Sequence, residues 1–399
     1  MSISFNIDIE KLQNLNGIRA EALFKYLKRV SKNNTPIVMH ATKKENYWDC
    51  YIVECSIPTS IFSKIKLPAE KDQNPEGTSF NLQLTSDLID EFADGTDFTV
   101  KNTTIDIVRP GFKARCGRIG LSESLEEQLE DFLGMLNVDG VANTAKLYIQ
   151  NSSETINILK NLKTAPDAAI FVNKSSVTLM KDTVFFRTKN LDKFEDNGAA
   201  DVYINMYLAN MITGFLDYSD LVTLEIKDNK TVVTGYEGTE EIPENIIVRN
   251  ISATYETDVS NPTDEDLEAN FPNEAEANIV SLDMETFIQT LEKQKGSILT
   301  FSDAKNWQAK LFKNGNGLTL GFAKIDSPTE VNVTVSIGEI EKEDVEAEEF
   351  TEYSTILPLD LITNIFHDSL SLEIVYQNDE DTAVLFRIGD SKILSGKIY

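Results

Sequence analysis

The stretch that decides the fold runs from Phe80 to Val108, FNLQLTSDLIDEFADGTDFTVKNTTIDIV. A short strand leads through a polar cap into an amphipathic helix of about ten residues, and two alternating strands follow around a turn. The same design recurs from Val202 to Val233 and from Tyr353 to Ile388. The helix leucines of the three copies are 120 and 153 residues apart, which makes the repeat domain-sized; they are Leu88, Leu208 and Leu361.

A second type of unit precedes each copy and opens with another amphipathic helix. These helices are predicted over Ile18–Lys32, Ser153–Lys163 and Asp283–Lys295. The strands between them alternate, and Asn314-Gly315-Asn316-Gly317 is a strong hairpin signal. Short alternating strands joined by hairpins predict antiparallel sheets covered on one face by helices, an α+β fold.

Each domain therefore contains two helix-on-sheet halves, and the chain contains three tandem domains. We place the domains at 1–120, 145–258 and 278–399. An acidic connector with a further helix is predicted over 121–144. The second connector, 259–277, is acidic and contains two prolines, so it is predicted to be an exposed linker.

The charge balance excludes a protein that coats nucleic acid through a generally basic surface. The 399 residues include 65 acidic and 37 basic side chains, which gives a net charge of −28. No apolar run approaches the roughly 20 residues of a membrane span, so we expect no membrane partner. The N-terminal residues show no export signal, so we expect the cytoplasm of a bacterial cell or a phage-infected host.

The residue inventory leaves little room for catalysis. Only His40 and His367 are present, and no nucleotide, hydrolase or zinc motif occurs. The acidic stretch 339–352 lacks the central glycine of a calcium loop and is predicted to be a solvated connector. We predict a non-enzymatic protein without a cofactor or metal, whose cysteines are reduced structural thiols; these are Cys50, Cys55 and Cys116.

Three such domains in a strongly acidic chain resemble a DNA polymerase sliding clamp of the bacterial or phage β-clamp type, in the superfamily of proliferating-cell nuclear antigen. Residues 78–108, 205–233 and 369–399 carry the likeness. It implies a ring-shaped, head-to-tail homodimer whose first and last domains each present an edge strand. Such a ring encircles duplex DNA independently of sequence and tethers the replicative polymerase.

The resemblance also implies that polymerase and clamp loader bind through short peptides in an apolar pocket near the second and third domains and the C-terminal tail. Candidate pocket residues are Leu191, Ile398 and Tyr399. An ordinary exposed tail is the alternative for the last two.

Basic residues on the predicted helices are the candidates for DNA contact. Helix 18–32 concentrates Arg19, Lys25, Lys28, Arg29 and Lys32 against one acid, in a chain that is acidic as a whole. A solvated helix face is the alternative. The later helices add four lysines near their C-termini, where the helix dipole also favours cations: Lys160, Lys163, Lys293 and Lys295.

One helix does not fit a positive channel lining. Residues 85–95 carry four acids and no base. Other lysines are therefore alternative candidates for the lining: Lys43, Lys44, Lys189 and Lys193.

Two other classes of protein compete with the clamp hypothesis. A virion structural or assembly protein with duplicated α+β domains would also be acidic and repetitive, but it has no reason to gather lysines on one inner surface. An enzyme that uses carboxylates and a metal would need convergent acids in an apolar pocket, and the sequence offers no such grouping.

Overall fold

The computed structural model describes most of the chain. The described residues are 2–17, 19–32, 35–55, 60–134, 138, 140–162, 168–173, 176–181, 184–189, 194–196, 201–238, 243–255, 257–273, 275, 277–289, 293, 307–314, 317–324, 330–339, 355–356, 371–376 and 383–395.

The chain divides into two compact units. The first comprises Met1–Asn151, Asp192–Ala200 and Met211–Glu256, and the second comprises the remaining segments, Ser152–Leu191, Asp201–Asn210 and Thr257–Tyr399. The strands of the predicted second domain are divided between the two units. Some belong to a sheet of the first unit, and others belong to the large sheet of the second unit. The domain limits themselves stay a prediction.

The described residues of the first unit form three antiparallel sheets. In spatial order, the strands of the first sheet are β1 (Ile3–Ile7), β6 (Thr96–Val100), β7 (Thr104–Arg109) and β8 (Phe112–Gly117). The second sheet contains β4 (Ser60–Pro68), β3 (Tyr47–Cys55), β2 (Ile37–Lys43) and β5 (Ser79–Leu84). The third contains β13 (Phe194–Asp196), β9 (Ala145–Gln150), β15 (Leu221–Lys227), β16 (Lys230–Gly238) and β17 (Pro243–Ala253). Alternate residues of β1 are buried, as the sequence pattern predicts.

The helices of the first unit are α1 (Ile9–Asn16), α2 (Ala20–Ser31), α3 (Ser86–Asp90), α4 (Glu123–Gly134) and the second half of α6 (Met206–Leu216). Two of them, α1 and α3, begin at side-chain caps. The Asp8 carboxylate accepts a hydrogen bond from the Lys11 amide at the start of α1, and Gly17, at φ 58°, ends it. Thr85 caps α3 in the same way.

Helix α3 is shorter than the sequence predicts. It has five residues, whereas the repeat pattern predicts about ten. Glu91 caps its C-terminus, and Gly95 turns the chain at φ 72° into β6. A positive φ is easily adopted only by glycine, so this turn fixes where the helical segment must end.

An aromatic chain joins α2 to the first sheet. The rings of Phe24 and Phe92 lie 5.4 Å apart, those of Phe92 and Phe98 5.3 Å apart, and Phe98 stacks on Phe5 at 5.1 Å. All four side chains are buried. On another side of α2, Tyr26 meets Phe215 of α6 edge to face.

The predicted helix in the first connector is confirmed as α4. Its Leu129 and Phe132 pack in one cluster with Val53 of β3 and with Ile251 of β17. The opposite side of α4 exposes five acids: Glu123, Glu126, Glu127, Glu130 and Asp131.

The second unit contains one large and one small antiparallel sheet. In spatial order, the strands of the large sheet are β14 (Val202–Ile204), β10 (Ala169–Val172), β11 (Ser176–Lys181), β12 (Val184–Lys189), β25 (Ser391–Ser395), β24 (Val384–Ile388), β23 (Ser371–Tyr376) and β18 (Asn278–Asp283). Those of the small sheet are β21 (Glu330–Glu339), β20 (Gly317–Lys324), β19 (Trp307–Asn314) and β22 (Thr355–Ile356). Strands β19 and β20 pair directly across Asn314 and Gly317, which confirms the predicted hairpin.

The eight-stranded sheet is continuous between strands assigned to the second and third predicted domains. β12 pairs with β25, and Phe186 opposite Ile393 is fully buried. The Ser391 hydroxyl lies 2.7 Å from that of Thr188. Helices of this unit are α5 (Ser153–Leu162), the first half of α6, α7 (Asp264–Glu268) and residues 284–289.

The sequence predicts that the second connector is an exposed linker. The structure corrects this prediction. Thr263 and Asp266 form a capping box that starts α7. Leu267 is buried, and Phe271 packs against a cluster that includes Leu394 of β25. The connector is acidic, but these apolar side chains gain more from burial than from exposure, so the segment docks on the sheet.

The three cysteines are free thiols, as predicted, with Cys50 and Cys55 buried. Among the described residues, no group of three or more His, Cys, Asp or Glu is placed to hold a metal ion. No helix in the described part of the chain is long and apolar enough to cross a membrane.

Candidate nucleic-acid interface

Helix α2 divides its residues between a buried face and a basic face. Leu23, Leu27 and Val30 are buried at helical spacing. The opposite face carries the bases that are predicted to contact DNA: Lys25, Lys28, Arg29 and Lys32. Arg29 is partly buried, and the three lysines are exposed. The helix therefore presents four cations on the side away from the core.

Carboxylates neutralise part of this basic face. Lys28 Nζ lies 2.8 Å from Asp90 Oδ1 of α3, and the Arg29 guanidinium pairs with Asp217, which follows α6. Asp90 is one of the four acids because of which residues 85–95 did not fit a positively charged DNA channel. The structure shows that it faces a lysine, so this acid does not stand alone on the surface.

Lys25 of α2 and Lys32, which directly follows the helix, are the stronger candidates for phosphate contact. Lys25 and Lys32 are exposed, and neither has an ion-pair partner among the described residues. Arg19, just before the helix, pairs with Glu237 of β16 at 2.9 Å. The uncompensated charge of α2 is therefore centred on Lys25 and Lys32.

Basic α2 and acidic α4 pack on opposite faces of one strand. Ile251 of β17 belongs to the cluster under α4, whereas its neighbour Asn250 hydrogen-bonds to Tyr26 of α2. Consecutive residues of a strand point to opposite faces of the sheet. The first unit thus carries positive charge on one side of this sheet and negative charge on the other.

A half-buried carboxyl near α2 escaped the sequence analysis. Burial raises the pKa of the Glu54 carboxyl to about 7. Burial, and then the charge of Glu54, raise the pKa of the Tyr26 phenol, while its hydrogen bond with Asn250 acts in the opposite direction. Nothing in the local pattern YIVEC marks Glu54 as half-buried.

Lys43 is not part of a DNA-facing surface, which corrects one alternative raised by the sequence. Its side chain is 2% exposed. The ammonium donates to the carbonyl oxygens of Glu45, at 3.1 Å, and Ala69, at 3.3 Å, and lies 5.8 Å from the centre of the Trp48 ring. A buried ammonium needs such acceptors, so Lys43 holds two loops together instead.

The other predicted site residues are only partly described. Lys160 is exposed on α5 and Lys293 is exposed in a helical position; both lie in the second unit. The remaining predicted residues lie outside the described part of the chain: Lys163, Lys295, Leu191, Ile398 and Tyr399.

The two edges of the first sheet differ. At the β1 edge, the Asp72 carboxylate accepts from the Ser4 amide at 2.5 Å, and Trp48 Nε1 donates to the Ser4 carbonyl at 3.1 Å. Asn74 donates to the carbonyl of Ser2 at 2.8 Å. Side chains therefore close this edge against another strand.

The β8 edge is open. The Arg118 amide bonds to Thr103, so by antiparallel alternation the backbone groups of Lys113 and Arg115 point away from β7. Among the described residues, none outside β7 hydrogen-bonds to the backbone of β8. The side chains of Lys113 and Arg115 are exposed. Arg115 donates a hydrogen bond to Asp106, and this bond, followed by one from Lys101, lowers the pKa of the Asp106 carboxyl.

No family model and no curated protein matches the sequence. Solved structures do match over their whole length. The pol III beta protein of Caulobacter crescentus has a TM-score of 0.63 at 13% identity, with 100% of both chains covered. The DNA polymerase sliding clamp of Pseudomonas aeruginosa has a TM-score of 0.59 at 11% identity, with 100% of this chain and 99% of that chain covered.

The DNA polymerase III subunit beta of Borrelia burgdorferi gives the same result, with a TM-score of 0.59 at 11% identity and the same coverage. The α+β fold predicted from the sequence is confirmed, and it is the fold of the bacterial β sliding clamps.

Proposed function

We propose that this protein is a sliding clamp, a non-enzymatic processivity factor that encircles duplex DNA and tethers a DNA polymerase in the cytoplasm of a bacterial cell or a phage-infected host. The observation that carries the proposal is the end-to-end agreement with β-clamp structures. A virion structural protein would not be expected to share every part of its chain with replication clamps.

DNA would contact the bases of the helices without regard to sequence. Ammonium and guanidinium groups bind phosphates, and phosphates are the same at every base pair. The charge separation across β17 favours this role, because a ring must attract DNA on its inner side only. The proposed contact residues are Lys25, Lys28, Arg29, Lys32, Lys160, Lys163, Lys293 and Lys295.

Two chains would close the ring as a homodimer. The β8 edge supports this, since an open edge strand with outward backbone groups is a template for a strand of another chain. Lys113 and Arg115 on that strand favour an acidic partner strand, and the last predicted domain carries the acidic stretch 339–352. Three domains per chain then give six in the ring.

Polymerase and clamp loader would bind through short peptides at an apolar pocket near the C-terminal tail. Leu191, Ile398 and Tyr399 remain the proposed lining. Deletion of the last two should weaken polymerase binding in a pull-down and leave the dimer intact; unchanged binding would locate the pocket elsewhere.

The proposal is tested with a linear duplex whose ends are either open or blocked by streptavidin. A closed ring can thread onto the open duplex but not onto the blocked one, so binding should be lost when the ends are blocked first. Equal binding to both would show side-on attachment and overturn the proposal. Light scattering should give 89.4 kDa for two chains of 44.7 kDa each.

A further inference from the structure

Two bases of the proposed DNA-binding helix are held by carboxylates from other elements. Lys28 pairs with Asp90 of α3 at 2.8 Å, and Arg29 pairs with Asp217 after α6. Both partners of each pair are between 41% and 59% exposed. Phosphate and carboxylate could therefore reach the same cations from solvent.

Helix stability does not explain where these acids lie. Asp90 is the last residue of α3, and Asp217 directly follows the last residue of α6. A helix C-terminus carries partial negative charge, so an acid there is slightly unfavourable. Exposed ion pairs add only about 0–1 kcal/mol to stability, so the pairs give the fold little in return.

The second pair lies against a glycine. A Cβ atom at Gly214 of α6 would lie 2.5 Å from Nη2 of Arg29, closer than such contacts allow. The missing side chain leaves room for the guanidinium to cross α6 toward Asp217. The pair is therefore supported by the shape of the neighbouring helix as well as by charge.

We propose that Asp90 and Asp217 are internal counter-ions that compete with DNA phosphates for Lys28 and Arg29. This inference rests on the proposed function and refines it: the carboxylates limit how tightly the helix holds DNA, which a protein that moves along a duplex requires. DNA must displace each carboxylate or share its cation, and the acid that remains nearby repels the phosphate.

The competition predicts two measurable effects of removing an acid. Loss of one nearby repulsion in a solvent-exposed site should tighten DNA binding by about threefold to tenfold. A base freed from its carboxylate can instead neutralise a DNA phosphate, which then releases the salt cation condensed on it. The slope of log affinity against log salt should therefore steepen by about one for each base freed.

The experiment compares wild-type protein with Asp90→Asn and Asp217→Asn by fluorescence anisotropy on an open linear duplex at several salt concentrations. The matched control is Asp97→Asn. Asp97 pairs with Lys71 at 2.8 Å and alternates along β6 with Phe98, so it lies on the face of the sheet away from α2. The control changes net charge equally but should alter neither affinity nor slope by as much.

A double mutant separates the pair from general charge. Lys28→Ala should abolish the gain that Asp90→Asn produces, because the carboxylate then has no cation to compete for. An undiminished gain in that background would overturn the proposal. Thermal melting of each variant should match wild type, since both acids are exposed.

The outcomes distinguish this inference from the proposed function. Equal binding of wild type to open and blocked duplexes would overturn both. If wild type requires open ends but neither asparagine variant changes affinity or slope, only the counter-ion role is wrong.

Discussion

Replacing Glu54 with glutamine should stabilise the first unit more at alkaline than at acidic pH. Burial raises the pKa of this carboxyl from 4.5 to about 7. The folded state therefore binds the proton more tightly than the unfolded state does. Stability from this group is fully present below pH 4.5 and is lost as the pH rises to about 7.

The magnitude follows from the size of the shift. Each pKa unit corresponds to about 1.36 kcal/mol, so the ionised carboxylate costs the folded state up to about 3 kcal/mol. Glutamine has nearly the same size and stays neutral. The advantage of Glu54→Gln over wild type should grow by about 2 kcal/mol between about pH 5 and about pH 8.

Urea unfolding followed by tryptophan fluorescence measures this difference. Trp48 is fully buried in the same strand as Glu54, and a Trp307→Phe background makes it the only tryptophan. Glu76→Gln is the control, because Glu76 is exposed in the same unit. A free-energy difference between Glu54→Gln and wild type that stays constant with pH would refute the reasoning.

Further substitutions test other parts of the structure. Lys43→Met should lower the free energy of unfolding by about 1–3 kcal/mol in urea titrations, because the carbonyls of Glu45 and Ala69 lose their donor. An unchanged midpoint would contradict the assigned role. Lys25→Ala and Lys32→Ala should each flatten the salt dependence of DNA binding by about one unit of slope, measured by anisotropy, and an unaltered slope would remove that residue from the interface. Lys113→Pro should reduce the mass in light scattering to that of one chain, because proline removes an outward N–H from β8. The control Lys113→Ala should keep the dimer. A dimeric proline variant would place the contact between chains elsewhere.

The sequence predicted the features that depend on local periodicity. Helix α2, the acidic helix α4 and the hairpin between β19 and β20 each have a pattern that is complete within about twenty residues. Helix α3 was predicted too long because its apolar pattern continues to Phe92, whereas the chain already turns toward Gly95.

The candidate site was less predictable because it depends on long-range contacts. Arg29 and Asp217 are 188 residues apart, and no local signal links them. Lys43 stands in the polar sequence TKKEN, which is typical of a surface turn, yet tertiary packing buries it. Leu267 likewise lies in an acidic segment whose composition alone predicts exposure.

Net charge is therefore a poor guide to what this protein binds. At −28 the chain as a whole is expected to repel a polyanion at long range. Beyond the roughly 10 Å over which salt screens exposed charges, however, α4 and α2 act nearly independently, because a packed sheet separates them. DNA beside α2 meets Lys25 and Lys32 before it meets any acid of α4. In the proposed ring, the acids of α4 would disfavour side-on binding of DNA, and the side that carries α2 would be the place where a duplex is held.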